Sequence, residues 1–144
     1  MNEDAVNEYF RQHVPFIDPV PLSDPVAVTG DPGLAALLRA GPGAGPTAFT
    51  VLIENTGDKP IDGSFSSGGA WLESERGERF YPPQVRLLSS GSVSPAAIGS
   101  RAEVLLELVF TMPAHVRPAR LILSLELGLY YPYAQWDLPL PSSE

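Results

Sequence analysis

Between residues 47 and 60 the chain alternates and then breaks. Phe49, Val51 and Ile53 share one parity, Thr50, Leu52 and Glu54 the other, and the run ends in Asn55, Thr56, Gly57, Asp58, Lys59 and Pro60. Side chains of an extended strand point alternately to opposite faces, so the pattern predicts a strand with Phe49, Val51 and Ile53 facing a core. Asn, Gly and Asp tolerate turn conformations and Pro cannot donate to a ladder, so a polar corner follows. Two longer runs repeat the pattern. In residues 101–112, Ala102, Val104, Leu106, Leu108, Phe110 and Met112 alternate with Glu103, Leu105, Glu107, Val109 and Thr111. In residues 119–127, Leu121, Leu123, Leu125 and Leu127 alternate with Arg120, Ile122, Ser124 and Glu126. Leu and Glu favour helices, but alternation kept up this long does not fit a 3.6-residue period, and strands are predicted. Val104, Leu106, Leu108, Leu123 and Leu125 are then the expected packing partners of the first strand.

The remaining pattern supplies shorter pieces. Residues 2–14 read as an amphipathic helix: Asn2 at its cap, Glu3 and Asp4 in the first turn, Val6, Tyr9, Phe10, His13 and Val14 on or near one face, and Pro15 at its end. Pro15, Pro19, Pro21 and Pro25 impose an extended path before a short strand at residues 26–29. Residues 34–40 contain good helix formers over too few positions for a long helix, and predict a short helix or a bulged edge. The Gly and Pro loop at residues 41–46 lacks the Gly-Lys-Ser/Thr that a phosphate cradle needs. A short strand is expected at residues 61–65. A hairpin follows at residues 71–81, with Glu75, Arg76, Gly77 and Glu78 at the tip, Gly77 at positive φ, and Trp71 and Phe80 as apolar anchors. Further strands are expected at residues 85–88 and 129–138, the last turning Ala134, Trp136 and Leu138 to one side. About seven or eight short strands with turns between them indicate an all-β chain: an immunoglobulin-like antiparallel β-sandwich over residues 24–144, preceded by a helix or Pro-rich arm over residues 1–23.

Composition agrees. The 16 Pro and 13 Gly in 144 residues disfavour long helices, and 44% hydrophobic content supports one buried core. With 17 acidic against 9 basic residues the formal charge is −8, which repels nucleic-acid phosphates and anionic membranes. Cysteine is absent, so disulfides, thiolate metal sites and thiol nucleophiles are excluded. Residues 1–4 do not resemble an export signal, and no apolar run reaches the roughly 18 residues of a membrane span. A soluble, unexported chain is expected, or an extracytoplasmic one if the sequence was cut from a longer precursor.

Chemistry-bearing patterns are sparse. His13 and His115 are the two histidines, neither within a Gly-x-Ser-x-Gly elbow, and two isolated histidines do not make a zinc site. Glu54, Asp58 and Asp62 offer hard oxygens for calcium, but Lys59 sits among them and a solvated turn is expected. Glu73, Glu75 and Glu78 interleaved with Arg76 and Arg79 read as a solvated hairpin. No catalytic residue, metal site or cofactor is assigned. The candidate binding surface is aromatic: Tyr130, Tyr131, Tyr133 and Trp136, because Tyr and Trp give large contact area at low entropic cost.

One ordered set of motifs runs through residues 24–140. The strand ends in Glu54, Asn55, Thr56, Gly57, Asp58, Lys59 and Pro60; Trp71, Leu72 and Glu73 precede Gly77, Phe80 and Tyr81; a long strand closes on Phe110, Thr111, Met112 and Pro113; and Trp136, Asp137 and Leu138 come last. This order resembles the bacterial immunoglobulin-like domains grouped as DUF4352. The resemblance implies the sandwich fold and structural punctuation in place of catalytic motifs. The expected role is a non-catalytic interaction module that binds a protein partner or itself, the alternative being a carbohydrate or small-ligand binder using residues 130–136.

Overall fold

The computed structural model describes residues 17–61, 69–88, 98–127 and 132–139. They form ten strands: β1 (Val20–Pro21), β2 (Pro25–Thr29), β3 (Ala35–Pro42), β4 (Ala48–Asn55), β5 (Ala70–Ser74), β6 (Arg79–Phe80), β7 (Gln84–Leu87), β8 (Glu103–Val109), β9 (Pro118–Ser124) and β10 (Tyr133–Asp137). Sheet I has the order β1-β10-β9-β5-β6 and sheet II the order β2-β3-β4-β8-β7. There is no helix among the described residues. The helix expected over residues 2–14 lies outside them. Of the strand expected at residues 61–65, only Ile61 is described, in an isolated bridge to Ile98.

Period-two patterning becomes ladder register. Phe49 faces Leu108, Val51 faces Leu106 and Ile53 faces Val104 across the β4–β8 pair. Side chains of one parity are therefore stacked on one face, and that face packs on Leu72, Leu121, Leu123, Ala134 and Trp136 of sheet I in a single buried cluster. Phe110 continues the β8 parity and meets Phe49 edge-on at 6.2 Å.

Two expectations are corrected. Residues 35–42 are neither helix nor bulged edge but strand β3, paired antiparallel with β2 and β4 over unbroken registers. Ala36, Leu38 and Ala40 are buried at alternate positions, so core packing overrides the helix propensity of Ala and Leu. The sandwich is also not wholly antiparallel: β1 runs parallel to β10, Val20 opposite Trp136. The extended Pro19 to Pro25 path places it at a sheet edge, where missing N–H groups cost least.

The polar corner after β4 is built on Asn55, which is fully buried. Its Nδ2 donates to Lys59 O at 2.8 Å and Ile98 O at 2.9 Å, while Oδ1 accepts from Gly57 N at 2.9 Å. Both amide donors and one acceptor position of the oxygen are used, as burial requires. Gly57 is fixed by close approach: a Cβ there would lie 2.3 Å from Gly33 O. At the hairpin tip Gly77 has φ +83°, the conformation the turn requires and that side chains resist.

Candidate functional site

One end of the sandwich gathers the loops after β3 and β8, the exit of β10 and the approach to β2. Leu22 is held there by its N–H to Asp137 O at 3.1 Å, Ser23 by its N–H to Ala40 O at 2.8 Å, and Leu138 by its N–H to Ala119 O at 2.9 Å. The 43–47 loop closes through Gly43 N to Ala48 O at 2.9 Å, and the loop after β8 turns through Val116 N to Pro113 O at 3.0 Å. Between these segments lies a cleft of about 300 Å³ lined by Leu22, Pro42, Pro46, Phe49, Val116, Pro118, Leu138 and Pro139. Four of those residues are prolines, which have no backbone N–H to leave unsatisfied, so the walls stay apolar at little cost.

Arg117 lies on the rim and also lines a neighbouring polar cleft of about 260 Å³ with Ser74, Glu75, Arg76, Glu78 and His115. Among the described residues the Arg117 guanidinium has no carboxylate partner. Ser74 and His115 share the polar cleft, but the Ser74 hydroxyl is engaged in the hairpin turn. It accepts Arg76 N at 3.2 Å and Glu78 N at 3.1 Å, and lies 3.4 Å from Glu78 Oε1. These contacts make it a turn cap.

The expected aromatic surface is divided. Tyr130 and Tyr131 lie outside the described residues. Tyr133 is half-buried, its ring 5.5 Å from that of Trp71, and the Arg79 guanidinium lies 4.6 Å from the Trp71 ring centroid on its other contact. Trp136 requires a correction: it is fully buried, with its indole N–H donating to Asp24 O at 2.8 Å, and belongs to the core. Its parity with Ala134, already evident in the sequence, turns it inward. Of the acidic cluster, Asp58 is exposed and Asp62 lies outside the described residues, among which no group of three or more potential ligands is placed to hold a metal.

The apolar cleft was not apparent from the alternation pattern, because its walls come from four separated segments. The signal that could have marked it is the spacing of Pro42 and Pro46, Pro113 and Pro118, and Pro139, which punctuate loops at one end of the sandwich.

No known protein family matches the sequence, and neither does any curated protein. The fold places the chain among β-sandwich proteins. It is similar to the crystal structure of a secreted protein from Mycobacterium tuberculosis, MPT63, with a TM-score of 0.50 and 11% identity over 83% of this chain and 98% of that one. It is also similar to an uncharacterized β-sandwich protein from Clostridium difficile 630, with a TM-score of 0.48 and 9% identity over 86% of this chain and 93% of that one.

Proposed function

We propose that the chain is a non-catalytic binding module whose partner is a protein segment that inserts one bulky apolar side chain into the cleft between Leu22, Phe49, Val116 and Leu138. The size of this cleft carries the reading. At about 300 Å³ it stands at the lower limit of small-molecule pockets, and it matches an anchoring side chain of the kind that dominates protein interfaces. Rigid proline walls reduce the ordering cost of binding. Arg117 on the rim supplies a charged contact beside the apolar anchor, as at interfaces with an apolar centre and a polar border.

A displayed peptide library tests this when selected on the wild-type chain and counter-selected on Val116→Arg. Convergence on one bulky apolar position, with binding lost in the variant at unchanged melting temperature, is expected. Peptides that bind both chains equally contradict the cleft assignment. Turnover of a hydrolase substrate panel, abolished by His115→Ala, contradicts the non-catalytic reading.

A further inference from the structure

The face of sheet II turned away from the core carries charges that are not matched within one chain. Leu37, Glu54 and Glu103 stand side by side on β3, β4 and β8, and Arg39, Leu52 and Leu105 form the next row. Glu54 and Glu103 are directly opposite each other, and like charges so placed weaken a sheet. Arg86 and Glu107 pair at 3.4 Å on the same face, whereas Arg39, Glu54 and Glu103 make no ion pair among the described residues. Leu37 and Leu52 are only half-buried, while Arg39 and Glu103 are exposed. Leu88, whose N–H donates to Leu105 O at 2.8 Å, extends the leucine row and is 37% exposed. An open apolar strip bordered by charged groups is the composition of an interaction surface.

We propose that this face binds the same face of a second copy of this chain. The register makes it self-complementary. Leu37, Arg39, Leu52 and Glu54 occupy the corners of one rectangle, with the leucines on one diagonal and the opposite charges on the other. A two-fold axis lying between the two sheets along the leucine diagonal sets leucine against leucine. The same axis carries Arg39 of each copy over the Glu54 and Glu103 pair of the other. Sheets packed face to face stand about 10 Å apart, a gap that arginine and glutamate side chains bridge together. Each Arg39 then offsets a repulsion between two carboxylates that a single chain leaves uncompensated. Five strands at about 4.8 Å give a face about 24 Å wide, with a footprint of roughly 500 Å² on each copy. That is at the small end of specific interfaces, so the dimer is a reversible one.

Analytical ultracentrifugation of the full chain, from micromolar to millimolar concentration, tests the pairing. A monomer and dimer in equilibrium are expected, with the dimer weakened as salt is raised. Arg39→Glu and Glu54→Arg should each raise the dissociation constant about tenfold or more, because each sets like charges opposite one another across the two-fold axis. Both positions are on the outer face, so the melting temperature should stay unchanged. An equimolar mixture of the two variants should regain the wild-type constant, since every charged contact then joins opposite signs. Val116→Arg, in the apolar cleft, should dimerise as the wild type does. A chain that stays monomeric throughout, a mixture that associates no more tightly than its separate components, or a dimer lost in Val116→Arg overturns the proposal.

Discussion

Asn55 shows how one residue can carry a motif without carrying chemistry. It joins β4 to the chain at Ile98 and Lys59 through its amide, and its own backbone exchanges hydrogen bonds with Ala102 O at 2.9 Å and Arg101 N at 3.0 Å. Asn55→Ala leaves the buried Ile98 carbonyl, the partly buried Lys59 carbonyl and the Gly57 N–H without their partner, so a loss of about 3 kcal/mol is expected, measured by urea denaturation. Asn55→Asp keeps the acceptor but removes both donors, and should lose nearly as much; a cost below about 1 kcal/mol for either change contradicts this account of the corner. Gly57→Ala is expected to be similarly damaging, since its Cβ would overlap Gly33 O, and the measured change in melting temperature checks it. The sequence showed that a polar turn stood here, because Asn, Gly and Asp announce one. It could not show that Asn55 is buried, because its partners Ile98 and Ala102 lie more than forty residues away and only the fold brings them together.

At the scale of elements, what the sequence revealed depended on how completely one face is buried. The strands β4 and β8 are half-buried ladders, so alternation was a sufficient signal and their register follows from it. The strand β9 was legible in its spacing, but its outward residues Ile122 and Ser124 are as enclosed as its inward ones. Ile122→Ala is therefore expected to cost about 2–4 kcal/mol in chemical denaturation, as for a core position. A cost under about 0.5 kcal/mol, typical of an open surface, contradicts enclosure of that face. For β3 the local signal misled, since Leu34 to Ala40 suits a helix by composition and only pairing with β2 and β4 decides otherwise. Its two adjacent leucines separate the readings: Leu38→Ala should cost about 2 kcal/mol more than Leu37→Ala, because Leu38 is fully buried and Leu37 is not.

Across the whole molecule, local pattern and three-dimensional site part company. Sandwich class, the hairpin at Gly77 and the main core residues were readable because each depends on neighbours in sequence. The cleft was not, since Leu22, Phe49, Val116 and Leu138 come from different elements and are brought together by the return of β10 alongside β1 and β9. Aromatic content drew attention to Trp136, which the same topology turns into the core. The binding role assigned to the cleft rests on a rigid apolar hollow with a charged rim, so it is most directly tested by mapping backbone amide chemical shifts as a cleft-selected peptide is titrated into the full chain. The account predicts perturbations centred on Leu22, Phe49, Val116, Arg117 and Leu138, absent in Val116→Arg. Perturbations confined to Trp71, Ile122 and Tyr133, with the cleft residues unmoved, would contradict it.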